Sequence, residues 1–164
     1  MPSYEIERKF LVDSLPEELP QQKSKRLRQG YLASGEDEVR IRHDQESYTL
    51  TCKRGHGLKR EEREIEITQK QFDALWPLTE TCRVEKTRYL IPAGKLTIEL
   101  DVYHGRHRPL IVAEVEFDSV EESQKFSPPL YFGVEVTKDQ SYKNRQLAQN
   151  GLPISNSSPA SASR

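Results

Sequence analysis

The feature that most constrains this chain is a period-two pattern of charge that begins in its first strand-like segment. In Tyr4-Glu5-Ile6-Glu7-Arg8-Lys9-Phe10-Leu11 the side chains of Glu5, Glu7 and Lys9 fall on one face, because successive residues of a strand point to opposite sides. Neighbours on that face stand about 6.5 Å apart along the strand. Two carboxylates and an amine so placed suit a metal ion beside a phosphate. The doublet recurs in segments that otherwise read as strands: Arg40 and Arg42 around Ile41, Glu62 and Glu64 after Arg60, then Lys86 and Arg88. Glu99 and Asp101 follow around Leu100, and Glu114 and Glu116 around Val115, while Lys53 is in register with Thr49 and Thr51. The alternate positions are largely apolar, as in Ile65, Ile98, Leu100, Val102, Ala113, Val115 and Phe117.

For any single doublet the simplest reading is the wet face of a half-solvated antiparallel sheet. Solvated strand faces usually mix Thr, Ser, Gln and Lys, whereas these strands carry ionised pairs sorted by sign. If the sheet closes on itself, the charged faces converge on one axis. A dry interior would cost on the order of several kcal/mol per ion. Such an axis is therefore expected to be a hydrated tunnel that holds metal and polyanion.

The coarse organisation is α+β and predominantly β. Strands are expected near residues 4–12, 26–33, 37–43, 46–53, 59–67, 83–91, 95–103 and 110–118, and eight of them suit a small closed antiparallel barrel. Turns fall at Ser34-Gly35, Asp44-Gln45, Gly55-His56-Gly57, Ala93-Gly94 and His104-Gly105. Capping boxes at Thr68/Gln71 and Ser119/Glu122 announce two flanking helices, the first running from Gln69 to Trp76 and stopped by Pro77. Asp139 is expected to cap a third, running through Tyr142 and Leu147 to Gly151. These elements make one domain over residues 1–153, followed by a Ser-, Pro- and Ala-rich tail at 154–164 with too little apolar content to fold.

Charged residues make up 31% of the chain against 34% hydrophobic, so the charge must be organised for a core to form at all. A net charge of -1 argues against a general nucleic-acid binder. Cys52 and Cys82 are too few for a disulfide framework, and no cleavable signal or membrane-length apolar run is present. The default compartment is the reducing cytoplasm, with no membrane partner expected.

Carboxylates on three strands, Glu5 with Glu7, Glu99 with Asp101, and Glu114 with Glu116, give the oxygen-only donor set that hard cations prefer, which implies Mg²⁺ or Mn²⁺. Glu62 and Glu64 would ligate a second ion or merely balance Arg60 and Arg63; both readings stay open. Lys9, Arg40, Arg42, Lys53, Lys86 and Arg88 supply donors for phosphate oxygens. The competing reading is an internal salt-bridge lattice with no ligand, although burying one stabilises a small domain little. His43, His56, His104 and His107 lack metal-ligand spacing and read as loop residues, and Trp76 reads as a helix anchor in the core.

These motifs resemble, in order, those of the CYTH superfamily, the triphosphate tunnel metalloenzymes. The hallmark Glu-x-Glu-x-Lys stands at Glu5-Ile6-Glu7-Arg8-Lys9, and the likeness continues through Val39-Arg40-Ile41-Arg42, Leu50-Thr51-Cys52-Lys53, Arg60-Glu61-Glu62-Arg63-Glu64, Val84-Glu85-Lys86-Thr87-Arg88-Tyr89, Ile98-Glu99-Leu100-Asp101 and Ala113-Glu114-Val115-Glu116-Phe117. The resemblance implies a closed eight-stranded antiparallel barrel whose charged tunnel takes triphosphorylated compounds with a divalent metal. It implies Glu5, Glu7, Glu114 and Glu116 as principal metal ligands, with Glu62, Glu64, Glu99 and Asp101 in supporting or second-metal roles.

The implied phosphate binders are Lys9, Arg40, Arg42, Lys53, Lys86 and Arg88, with Arg60 beside them; Glu62, Glu64 or Asp101 would orient the attacking water, and Lys9 would act as clamp or base. The ending Val136-Thr137-Lys138-Asp139-Gln140-Ser141-Tyr142-Lys143-Asn144 is similar to that of short bacterial members, mainly inorganic triphosphatases, and implies a helix at one tunnel mouth. Hydrolysis of inorganic triphosphate is therefore the leading expectation. An adenylate cyclase, a thiamine or nucleotide triphosphatase, and a non-catalytic polyphosphate sensor are the rivals. A homodimer through an outer barrel face stays open, since symmetric dimers are the commonest assembly.

Overall fold

A computed structural model describes residues 6–55 and 61–154 of the chain. Glu5, His56, Gly57, Arg60 and the expected tail from residue 155 onward lie outside the described residues. Among the described residues nine strands form one antiparallel sheet: β1 (Ile6–Val12), β2 (Lys23–Ser34), β3 (Asp37–His43), β4 (Tyr48–Arg54), β5 (Glu61–Glu66), β6 (Arg83–Ala93), β7 (Leu96–Tyr103), β8 (Ile111–Phe117) and β9 (Phe132–Glu135). Their hydrogen-bonded order is β5-β4-β3-β2-β6-β7-β8-β1-β9. Residues from β1 through β8 face one common cavity, so the sheet curls into the expected tunnel fold. Closure by hydrogen bonds is the detail that differs: β5 and β9 do not pair among the described residues.

Local chemistry sets the hairpins. Asp44 accepts hydrogen bonds at Oδ1 from the backbone amides of Glu46 (3.3 Å) and Ser47 (3.0 Å), which holds the β3–β4 turn while Gln45 takes a positive φ of 79°. Gly94 turns β6 into β7 at φ 64°, a left-handed conformation open to glycine without a Cβ clash. β9 was not anticipated. It follows Pro128-Pro129, is four residues long, and adds to the free edge of β1 through the pairs Phe10–Glu135 and Val12–Phe132. Four residues are too short for a period-two pattern to stand out.

The helices also refine the expectations. α1 (Gln69–Leu75) carries the full Thr68/Gln71 capping box, and Pro77 does not stop the chain's turn but opens a 3-10 segment at Trp76–Thr79. In α2 (Val120–Lys125) only half of the second box forms: the Glu122 amide donates to Ser119, while the Glu122 carboxylate accepts from Asp118 instead. The third helix is split. Asp139 caps a 3-10 turn at Gln140–Tyr142, Lys143 is extended, and α3 (Asn144–Asn150) starts afresh.

Two apolar layers hold the sheet in shape. On its outer side Val12, Ile98, Leu100, Ala113, Val115 and Phe117 pack with Leu19, Phe126 and Phe132. On its inner side, at one end of the trough, Tyr31, Val84, Tyr103 and Val112 pack against Leu147 and Ala148 of α3. Burying a leucine as completely as Leu147 stabilises by about 1.5–3 kcal/mol. The inner face thus changes from charged to apolar along the same strands, and α3 stops that end. Trp76 anchors its helix as expected, stacked on Phe72 at 5.1 Å and covered by the guanidinium groups of Arg28 (4.5 Å) and Arg83 (4.3 Å). His107, expected in a surface loop, is buried and donates from Nε2 to the Leu147 carbonyl at 2.5 Å. Burial disfavours its charged form, so it serves as a neutral pin between the β7–β8 connection and α3.

Candidate active site

The trough encloses a cavity of about 450 Å³. The sheet's register decides which charges meet in it. Glu7 lies opposite Glu116, and Glu114 lies between Lys9 on one neighbouring strand and Glu99 on the other. Glu7, Glu99, Glu114 and Glu116 all line the cavity. Like charges placed directly across a ladder repel, so three adjacent strands gather an acidic wall that is costly without a counter-cation. Burial pushes the Glu99 carboxyl up; Arg88 opposes this, and Glu114 and Asp101 add to the rise.

Among the described residues no three of these carboxylates already surround a common point, and Glu5 lies outside them. The donors are nonetheless all carboxylate oxygens on one wall, and Glu116 makes no ion pair among the described residues. That chemistry fits a hard divalent cation.

The opposite wall is basic. Arg40, Arg42 and Lys53 line the same cavity from β3 and β4, while Arg88 lines it from β6 beside the acidic wall, 2.6 Å from Glu99 and 3.8 Å from Glu114. Arg42 donates from Nε to Gln29 (3.2 Å), and Gln29 in turn donates to the Tyr31 hydroxyl (2.9 Å). Gln29 is fully buried, and burial pushes Tyr31 up to about 12, so a neutral pair orients the guanidinium. Burial, with Arg40 and Arg88 beside it, disfavours the charge on Arg42. Arg40 has a buried Nε with no partner among the described residues. Crowded guanidinium groups and an unanswered donor call for an anion.

Glu62 and Glu64 face the cavity from β5. Glu62 lies 3.5 Å from the Lys53 ammonium, and Glu64 accepts the Thr51 hydroxyl at 2.7 Å. Lys9 reaches both Glu114 (3.2 Å) and the Tyr142 carbonyl (3.2 Å), linking the acidic wall to the segment before α3.

Two expected site residues are placed differently. Asp101 is 0% exposed, and its carboxylate accepts three hydrogen bonds: Oδ1 accepts Arg88 Nε at 2.7 Å, while Oδ2 accepts Lys86 Nζ at 2.7 Å and Arg88 Nη2 at 2.8 Å. Neither Asp101 nor Lys86 lines the cavity. Asp101 is engaged by two cations away from the cavity, and Lys86 is engaged by Asp101 and Asn144 Oδ1 (3.2 Å). Ion pairs also run through the cavity lining, as in Lys9–Glu114, Lys53–Glu62 and Arg88–Glu99, but among the described residues only on this floor are both partners fully buried. The reason is depth: both residues lie where the inner face turns apolar beneath Tyr103 and Asn144.

Sequence reasoning also missed residues. Lys143, Asn144 and Arg145 line the cavity although no strand pattern includes them, and Glu38 and Tyr31 join them from β3 and β2. Glu38 shares the parity of Arg40 and Arg42, a signal that could have found it.

The chain is 49% identical over 148 residues to the inorganic triphosphatase of Nitrosomonas europaea, covering 88% of this chain and 96% of that protein. It is 34% identical over 154 residues to the inorganic triphosphatase of Acetivibrio thermocellus, covering 89% and 94% respectively. The crystal structure of the inorganic triphosphatase NE1496 superposes with a TM-score of 0.77 at 43% identity, covering 93% of this chain and 99% of that one. The CYTH domain matches residues 3–139, and the chain belongs to the CYTH domain family.

Proposed function

We propose that this protein is a metal-dependent hydrolase that cleaves a phosphoanhydride of inorganic triphosphate, giving pyrophosphate and phosphate. The observation that carries the proposal is the sorting of charge across a single trough: Glu7, Glu99, Glu114 and Glu116 on one wall, Arg40, Arg42 and Lys53 on the opposite one, and Arg88 beside the first. A polyphosphate and its counter-cation fit that pattern together, and neither fits it alone. The relatives that are named inorganic triphosphatases support the same substrate class.

Metal dependence comes with the family, and the all-oxygen donor set favours Mg²⁺ or Mn²⁺ at Glu7, Glu114 and Glu116, with Glu99 beside them and Glu5 outside the described residues. The bound cation would neutralise charge on the phosphate oxygens. Arg40, Arg42, Lys53 and Arg88 hold the phosphates in line, and Lys9 clamps an oxygen next to Glu114. Glu62 and Glu64 remain the carboxylates able to orient water, now that Asp101 is committed to its own ion pairs. Arg60 lies outside the described residues and keeps its expected role as a phosphate binder.

The test is to supply inorganic triphosphate, ATP and thiamine triphosphate separately with Mg²⁺ or Mn²⁺, and to follow phosphate release and cyclic AMP. Fast release from inorganic triphosphate alone is the expected result. Cyclic AMP, or binding without turnover in either metal, would overturn the proposal.

A further inference from the structure

We infer that Thr51 is a positioning residue for the reaction in the trough: its buried hydroxyl fixes the Glu64 carboxylate, and so makes Glu64, rather than Glu62, the carboxylate that orients the attacking water. The inference rests on the triphosphatase reading of the cavity and adds to it. The ladders of β3, β4 and β5 place Arg40, Thr51 and Glu64 directly opposite one another in a single row. Arg40 and Glu64 line the cavity, while Thr51 is buried between them, 1% exposed and outside the lining. A substrate in the cavity meets Thr51 only through these two neighbours.

The chemistry of the row fixes the direction of its hydrogen bonds. A guanidinium only donates and an ionised carboxylate only accepts, whereas a hydroxyl has one proton and can do both. The Thr51 hydroxyl therefore gives its proton to Glu64 Oε2, at 2.7 Å, and turns a lone pair toward Arg40 Nη2, at 3.5 Å. A β-branched side chain has few χ1 rotamers in a strand, and burial holds the one that reaches Glu64. Glu64 needs such a hold, because it sits exposed on β5, which pairs only with β4 among the described residues. Among those residues the bond engages Oε2, and Oε1 is the oxygen left to the cavity.

The neighbouring row shows the alternative. There Lys53 takes the place of Thr51, between Glu38 and Glu62, and its ammonium lies 3.5 Å from the Glu62 carboxylate. An ammonium carries several donors on a flexible stem and competes with water for both carboxylate oxygens. A single hydroxyl occupies one oxygen and leaves the other to a water. At the opposite end of the Thr51 row, Arg40 keeps a buried Nε without a partner among the described residues. One row thus offers an anion donor at one end and an oriented acceptor at the other, which sets a phosphate and its attacking water in fixed relation.

The experiment compares Thr51→Val, which keeps the shape and loses the hydroxyl, with Thr51→Ser, which keeps the hydroxyl. Phosphate release from inorganic triphosphate with Mg²⁺ gives kcat and KM, and calorimetry with sodium triphosphate in EDTA gives binding without turnover. Thr51→Val should lower kcat about tenfold or more while KM and binding change less than about threefold, and Thr51→Ser should recover most of the loss. In a double-mutant cycle Thr51→Val should cost less than about twofold on top of Glu64→Gln, yet its full effect on top of Glu62→Gln. If Thr51→Val turns over like wild type, if binding falls as far as kcat, or if the full loss persists in the Glu64→Gln background, the positioning role is wrong while the triphosphatase reading stands. Should Thr51→Val melt below wild type, Thr51→Ser is compared with Thr51→Ala, and equal kcat in those two overturns the role as well. If wild type releases no phosphate from triphosphate, the triphosphatase reading itself falls and takes the role of Thr51 with it.

Discussion

Replacing Asp101 by asparagine should unfold the protein far more readily than it alters the acidic wall. The carboxylate is 0% exposed and accepts three hydrogen bonds, two from Arg88 and one from Lys86, at 2.7–2.8 Å. Asparagine preserves the shape but presents an amide donor to one of the cations. Arg88 retains Glu99 at 2.6 Å, whereas Lys86, 1% exposed, keeps only the neutral Asn144 oxygen. Removing one partner from a buried pair costs about 3–5 kcal/mol, since the remaining charge is left without compensation. For a chain of this length that corresponds to a fall in Tm of roughly 10 °C.

The same argument fixes the pH dependence. Burial pushes the Asp101 carboxyl up, but Lys86 and Arg88 more than offset this and hold it at about 2. A depressed carboxylate contributes stability that is fully present above its unfolded value near ~4 and is lost as pH falls through the folded value. Wild type should therefore lose stability between about pH 4 and pH 2, and Asp101→Asn should show a shallower acid limb. Urea melts at pH 7 and at a series of acid pH values measure both effects. Adding Lys86→Met to Asp101→Asn should recover most of the loss, because the orphaned ammonium is gone. An Asp101→Asn protein that melts within about 1 kcal/mol of wild type but has lost metal affinity would refute this reasoning and return Asp101 to the metal site.

The remaining predictions concern the walls and the packing. Glu7→Gln should lower metal-dependent phosphate release by about 100-fold or more without shifting the melt, because it removes a charged donor from the acidic wall; unchanged turnover would take Glu7 out of the site. Arg42→Ala should raise KM for triphosphate about tenfold with a smaller change in kcat, as expected for a group that holds the chain in place. An unchanged KM in steady-state assays would contradict that role. Gly30→Ala should destabilise by about 1–3 kcal/mol, since the added Cβ meets the buried Thr79 side chain under the 3-10 segment. Gly35→Ala, where nothing lies within 4 Å, is the control and should melt close to wild type.

Much of the fold was legible because side chains in a strand alternate strictly. Glu99, Asp101 and Tyr103 must share a face whatever surrounds them, and so must Glu114 and Glu116. The breaks in legibility have local causes. β9 is four residues long and is created by the free edge of β1 rather than by its own pattern. The third helix is broken at Lys143, where an extended backbone directs Asn144 to Lys86 and Tyr103. Ladder closure is likewise a matter of where two edges end up, which alternation does not specify.

The sequence by itself determined which residues could meet: two sets of like charges, sorted by strand, with an apolar set behind them. Only the tertiary structure decided how deep each residue lies. Depth separates Glu99 from Asp101, two residues along one strand, because α3 covers the far end of the trough and leaves the near end wet. Under the cover a carboxylate must be neutralised by protein cations, as Asp101 is by Lys86 and Arg88. In the open part of the trough the same chemistry is left facing a cavity, where a metal ion and a phosphate chain can answer it.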